Sequence, residues 1–313
     1  MRPPVAGQLG RALLVRGRRL VGPATIELRL GPADEAALPR WAPGAHIDLV
    51  LPGGLVRPYS LCGDPYDATS WRVLVRRRTD GGASAYLHDR LRVGDIVHAR
   101  GPRDRFGLVG AGRYLFLASG VGIAPLLPMA RWVDAARIFP WTLLHLDHRD
   151  SVLADEVRSL GAGADLASDL DAVAEAVMAA ADGTAVYACG SARFVDAVTG
   201  LTAGRPGLTL HRQQFDGRPS GPGETPGCEL VLARRGDRIR VPANTPLLEA
   251  LIDAGVDVPA SCGSGICGAC IVPVLHGAVR HRDSVLTDTE RASGRHVVAC
   301  VSAAAGGRLV LDL

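Results

Sequence analysis

A chain of 313 residues is longer than one compact core usually organises, so two or three domains are expected. Hydrophobic residues at 47% and charged residues at 21% are ordinary for a soluble globular protein. The formal net charge is only +3, and the arginines sit in short clusters such as Arg16, Arg18 and Arg19 or Arg76, Arg77 and Arg78. These read as solvated strand ends, and without a basic stripe nucleic acid is excluded as a partner.

The first twenty residues, MRPPVAGQLGRALLVRGRRL, have no apolar run long enough for a secretory signal. Residues 1 to about 105 carry short alternating runs such as HIDLVL (46–51) and WRVLV (71–75), punctuated by Gly and Pro, which predicts an antiparallel β-barrel. From Tyr114 the texture changes. YLFLAS (114–119), WTLLHL (141–146) and AVYAC (185–189) read as buried parallel strands, with helical spacing in LLPMARWVDAAR and LDAVAEAVMAAA between them. Strands alternating with helices predict a doubly wound α/β domain. The uncharged stretch 114–130 falls short of the ~20 residues a membrane span needs, and two glycines and two prolines interrupt it. It reads as strand, turn and helix start, so no membrane partner is expected and the location is expected to be cytoplasmic. Residues 216–227 (DGRPSGPGETPG) have the composition of a linker. The expected division is therefore a barrel over 1–108, an α/β domain over 109–215, the linker 216–227, and a C-terminal domain over 228–313.

Four of the seven cysteines crowd into the last 52 positions. Cys262, Cys267 and Cys270 form C-x4-C-x2-C, followed at a distance by Cys300, which is the plant-type spacing for a [2Fe–2S] cluster. Four thiolates must wrap inorganic sulfide, and Gly263, Gly265 and Gly268 let the loop turn and aim its N–H groups at sulfur. Structural zinc also takes four thiolates, but it usually pairs two short knuckles, which this three-plus-one pattern does not. Without a secretory signal, a metal site is favoured over disulfides.

Two turns upstream suit anions. Gly81-Gly82-Ala-Ser84 follows the strand VLVRRR and precedes the helical stretch AYLHDRL, and a helix N-terminus presents unpaired N–H groups and a favourable dipole. Gly120-Val-Gly122-Ile-Ala-Pro125 follows the first parallel strand, where open α/β sheets bind ligands. Its glycines allow a pyrophosphate near the backbone, and Pro125 suits a first helical turn. The competing reading is a plain strand–helix turn.

The segments CGSGICGAC, HRDSVLTDTE and VVACVS resemble the C-terminal domain of the phthalate dioxygenase reductase family, particularly its vanillate O-demethylase reductases. The resemblance continues through Arg57-Pro-Tyr59-Ser60, which looks like the family's R-x-Y-S flavin signature, and through Gly81, Gly82 and Ser84, which match its flavin-phosphate turn. It implies a multidomain fold: a flavin-binding antiparallel β-barrel, a doubly wound α/β domain for NAD, and an α+β, β-grasp-like ferredoxin domain. FMN is the expected flavin, with FAD as the alternative. Ala188-Cys189-Gly190-Ser191 is similar to the family's C-G-P, with serine for proline, and implies a cysteine beside the nicotinamide. His211-Arg-Gln-Gln-Phe215 resembles H-x-E-x-F, with Gln213 for the acid, and implies Phe215 near the flavin. Gly120, Gly122, Pro125 and Gly190 would line the dinucleotide. In HLDHRD (145–150), Asp147 or Asp150 can accept from a ribose 2′-OH and repel a 2′-phosphate, while Arg149 argues the other way; the resemblance favours NADH.

The implied activity is an NADH-dependent flavin iron–sulfur reductase that takes a hydride onto flavin and passes single electrons through the cluster to a terminal oxygenase. The expected oxygenase is Rieske-type, hydroxylating or demethylating aromatic or amine substrates. A haem-thiolate monooxygenase as acceptor is the alternative, and a redox-responsive regulator is a binding-class rival. Cofactors carry the chemistry, so no nucleophile or acid–base residue is expected.

Overall fold

Alternation with a period of two organises the first hundred residues. The computed structural model describes residues 10–34, 36–52, 55–79, 82–146, 152–215, 224–283 and 285–313. Strands β1 (Arg11–Gly22), β2 (Thr25–Pro32), β3 (His46–Leu51), β4 (Leu55–Ser60), β5 (Trp71–Arg76) and β6 (Ile96–Arg103) form an antiparallel sheet in the order β4-β3-β6-β1-β2-β5. The Leu61–Val73 bridge brings the end of β4 onto β5, closing the sheet into a barrel. Ile26, Leu28, Leu30, Ile47, Leu49, Val73 and Val75 fill its interior.

The outer face of β2 and β5 is buried as well. Glu27 and Arg72 point away from the barrel core yet are 1% and 8% exposed, because the second half of this unit covers them. That half is a five-stranded parallel sheet of β7 (Arg113–Ser119), β8 (Trp141–Leu146), β9 (Ala164–Ala167), β10 (Thr184–Gly190) and β11 (Thr209–Gln214), in the order β11-β10-β7-β8-β9. Central strands β7 and β10 are apolar on both faces, as a sheet covered by helices requires. Helix α1 (Gly82–Asp89) packs on the barrel, while α2 (Ile123–Ala136), α3 (Ala154–Arg158), α4 (Leu170–Ala179) and α5 (Ala192–Ala203) serve the parallel sheet. The strand order reverses at β7, between β8 and β10, and that reversal makes the crevice in which such sheets bind ligands. The 114–130 stretch is β7, a glycine turn and the start of α2. Among the described residues no helix is long and apolar enough to cross a membrane.

The barrel-to-sheet connection is tied down by two tyrosines. Tyr187 Oη accepts from Val109 N at 2.7 Å and donates to Gly107 O at 3.1 Å; Tyr114 Oη donates to Val109 O at 2.9 Å and accepts from Ala111 N at 3.0 Å.

Two compact units divide the chain, Met1–Phe215 and Asp216–Leu313. In the second, β12 (Cys228–Leu232), β13 (Arg238–Val241), β14 (Ile271–His276), β16 (His296–Val298) and β18 (Arg308–Leu311) form a mixed sheet in the order β13-β12-β18-β14-β16, with β12 and β18 parallel. A two-stranded ladder pairs β15 (Val279–Arg280) with β17 (Ala303–Ala304). Helix α6 (Leu247–Asp253) buries Leu247, Leu248 and Leu251 on the sheet, and α7 (Asp288–Ser293) begins at a Thr287–Glu290 capping box. This is the α+β arrangement the sequence implied.

Candidate functional site

The cysteine loop is built by backbone turns that most residues avoid. Gly263, Gly265 and Gly268 all have positive φ, and a Cβ on Gly265 would lie 2.6 Å from Val301 Cγ2. The segment carrying Cys300 is held to the loop by the bond from Ala299 N to Cys270 O, 3.1 Å. All four cysteines are buried, and their sulfurs form one connected group. Hydrogen bonds from the Cys267 and then the Cys300 thiol hold Cys262 far below the usual thiol range, and a hydrogen bond from Cys300 lowers Cys270. Backbone N–H groups also reach the sulfurs, from Ser264 to Cys262 at 3.3 Å and from Ala269 to Cys267 at 3.5 Å. Among the described residues no three Cys, His, Asp or Glu side chains converge on a single ion. A two-iron cluster takes two thiolates per iron, so it does not ask for that convergence. Three buried sulfurs in an N–H-lined loop, with the buried Cys300 sulfur on the segment held against it, fit a [2Fe–2S] group.

The residues expected at the flavin lie on the barrel. Arg57, Tyr59 and Ser60 end β4, with Ser60 buried and the other two half-buried. Arg57 donates to Val56 O at 2.8 Å. Burial pushes the Tyr59 phenol up, against the pull of the Arg57 charge, so it stays neutral. Gly82 starts α1 with φ +67°, and nothing lies within 4 Å of where its Cβ would be. That open space at a helix N-terminus fits a phosphate. Ser84 Oγ accepts from Arg78 N at 3.1 Å and so also braces the turn. Gly81 lies outside the described residues.

At the crevice of the parallel sheet, Gly122 is forced. A Cβ there would sit 2.0 Å from Cys189 O and 2.8 Å from Gly190 Cα, so only glycine lets the ends of β7 and β10 close together. Gly120 has φ +52° and open space beside it, and Pro125 stands in the first turn of α2. His145 of β8, fully buried, places Nε2 2.9 Å from Gly120 O; a carbonyl only accepts, so Nε2 carries the proton. Cys189 is fully buried, and desolvation pushes its thiol well up, so it is a neutral thiol and no nucleophile. Its Sγ lies 4.0 Å from Gln213 Oε1. Ser191, which stands where the resembled motif has proline, caps α5 by accepting from Phe194 N at 3.3 Å. Phe215 N donates to Gly190 O at 3.0 Å, which brings Cys189, Gly190, Gly122 and Phe215 to one edge. Asp147, with Arg149 and Asp150, lies outside the described residues.

Sequence reasoning missed the side chains that join the barrel to the parallel sheet. Arg72 of β5 donates from Nε to Glu27 at 2.6 Å and, through both terminal nitrogens, to Glu156 of α3 at 2.8 and 2.5 Å. Arg131 of α2 donates to Glu156 at 2.9 Å, and Arg19 and Arg29 donate to Glu27. Burial pushes Glu27 up, but the Arg19 hydrogen bond, the Arg72 charge and the Arg29 hydrogen bond outweigh it and leave the carboxyl at about 2. Glu156 is lowered likewise, burial being outweighed by Arg72 and Arg131. The one available signal was an acid in the middle of the apolar run Thr25–Pro32.

Residues 14–107 match the oxidoreductase FAD-binding domain family, and residues 231–305 the 2Fe-2S iron–sulfur cluster binding domain family. The chain is 36% identical over 310 residues to a putative toluene-4-sulfonate monooxygenase system reductase subunit of Comamonas testosteroni, across 94% of this chain and 96% of that one. A solved structure of phthalate dioxygenase reductase aligns with TM-score 0.68 at 30% identity, covering 96% of this chain and 97% of its own. An intact type IV self-sufficient cytochrome P450 monooxygenase aligns with TM-score 0.88 at 36% identity over 100% of this chain, which spans only 43% of that structure's length.

Proposed function

The chain belongs to the phthalate dioxygenase reductase family, and from that premise we propose that it is the NADH-dependent reductase component of an oxygenase system. A bound flavin supplies the exchange between paired and single electrons, and a [2Fe–2S] centre supplies a one-electron outlet. The chain's own residues bind, orient and shield. Arg57 and the N–H groups at the start of α1 would hold the flavin phosphate, with Tyr59 and Ser60 on the ring. Gly120, Gly122, Pro125 and Gly190 would receive the NADH pyrophosphate and ribose, and Cys189 and Phe215 would border the nicotinamide. Asp147 would select NADH by its charge. Cys262, Cys267, Cys270 and Cys300 would hold the cluster.

We divide the work as a flavin domain over 1–108, a nicotinamide domain over 109–215, a linker over 216–227 and a ferredoxin domain over 228–313. FMN is the proposed flavin: α1 ends at Asp89 and β6 begins at Ile96, which leaves no insertion there for an adenosine moiety. FAD, the flavin of the matching domain description, is the alternative that extraction of the cofactor would reveal. A cytoplasmic location suits a thiolate-held cluster, because thiols there stay reduced. The proposed acceptor is a Rieske-type terminal oxygenase acting on an aromatic or amine substrate.

The observation that carries this reading is a group of four buried cysteines on the same chain as a barrel and a parallel sheet that each present a glycine turn at a helix N-terminus. A visible spectrum under argon, before and after NADH, tests it. Flavin and iron–sulfur bands that bleach together are expected; a spectrum without cluster absorption, or indifferent to NADH, would refute it. Likeness over the whole of this chain to part of the P450 structure favours a haem-thiolate acceptor as the second reading. Stimulation of NADH consumption by one acceptor class and not the other separates the two.

A further inference from the structure

We propose that Glu156, through Arg72, is a positioning residue for hydride transfer: the pair sets the angle and distance between the nicotinamide-binding sheet and the flavin barrel. This rests on the functional reading above.

Apolar contact dominates the rest of that junction, where Cys62, Leu74 and Phe106 join the cluster around α2 and β10. Such contact is strong but non-directional, and the Tyr114 and Tyr187 hydrogen bonds hold the connecting segment 107–111 rather than β5. The ion chain supplies the direction. Its members alternate in sign from Arg19 and Arg29 through Glu27, Arg72 and Glu156 to Arg131. All three nitrogens of the Arg72 guanidinium are engaged, Nε on the barrel's Glu27 and the terminal pair on Glu156. A planar fork held on both edges fixes orientation as well as separation.

The elements at the far end are those that would carry the nucleotide. Arg131 stands on α2, the helix that opens just after the Gly120–Gly122 turn. Glu156 stands on α3, the first helix after β8, whose end faces the ribose in sheets of this kind. Arg72 belongs to β5, which itself approaches the Gly120–Gly122 turn. Glu156 thus joins α2 and α3 to one barrel strand. Hydride transfer is sensitive to such placement, since a misalignment of about 1 Å can slow a reaction by up to ~100-fold.

Stopped-flow reduction of the flavin by NADH under argon, on the full chain, tests this with Glu156→Gln and Arg72→Lys. The first keeps the shape and loses the charge; the second keeps the charge and loses the fork. The expected result is a limiting rate lowered by about tenfold in both, with half-saturation changed by less than about twofold and with flavin and cluster content retained. Glu156→Asp, which restores the charge, is expected to recover part of the limiting rate. A network that served stability alone would lower the unfolding temperature and leave the limiting rate intact, and that result would overturn the proposal. If NADH failed to bleach the flavin of the unaltered protein, the functional reading would fall and this proposal with it. Bleaching of the unaltered protein beside variants of equal limiting rate sinks the proposal alone.

Discussion

At Glu27 charge and stability are tightly linked. Its carboxyl is 1% exposed and is drawn from an ordinary 4.5 to about 2 by Arg19, Arg72 and Arg29. Because the folded value lies below the unfolded one, the stabilisation is complete above about pH 5.5 and is lost as pH falls toward 2. At ~1.4 kcal/mol per pH unit, the difference amounts to roughly 3 kcal/mol at neutral pH, of which about 2 kcal/mol disappears between pH 6 and pH 3. Glu27→Gln removes the charge and leaves Arg72 buried beside a neutral amide, so the variant is expected to lose about 3 kcal/mol at pH 7. It should lose progressively less, relative to the unaltered protein, as the solution is acidified. Urea unfolding from pH 7 to pH 3, followed by the rise in flavin fluorescence on release, measures this independently of the acid-labile cluster. Curves of stability against pH that run parallel for the two proteins would refute the reasoning.

Three further outcomes are expected. Gly122→Ala must part Cys189 O from the new methyl, which would otherwise sit at 2.0 Å; the KM for NADH should rise roughly tenfold with flavin content unchanged. Tyr187→Phe deprives Val109 N and Gly107 O of their partner, and calorimetry should show a loss of about 1–3 kcal/mol. Cys262→Ser removes the sulfur bonded by two other cysteines, so the iron–sulfur absorption should vanish while NADH still bleaches the flavin.

Strands HIDLVL and WTLLHL were legible to the residue, because a period of two and a continuous apolar run are properties of a few consecutive side chains. Two of the five parallel strands were not. Strand β9 is only four residues long, and β11 reads TLHRQQ, half-buried at the sheet edge, where polar side chains are tolerated. The cysteine spacing and the Gly120–Gly122 turn were likewise visible as local pattern, and the structure adds why Gly122 admits no side chain.

What the sequence by itself determined is therefore short-range: the cysteine spacing, the glycines that allow a turn, and the alternation that makes a barrel strand. Tertiary structure alone decided that an acid on the outer face of β2 would be buried, and that Arg72 would meet Glu156 84 residues away. The reason is physical. Whether a charge is solvated depends on what packs over it, and here the partners that meet Arg72 and its neighbours stand on α2 and α3, whose placement no local pattern in β2 or β5 encodes.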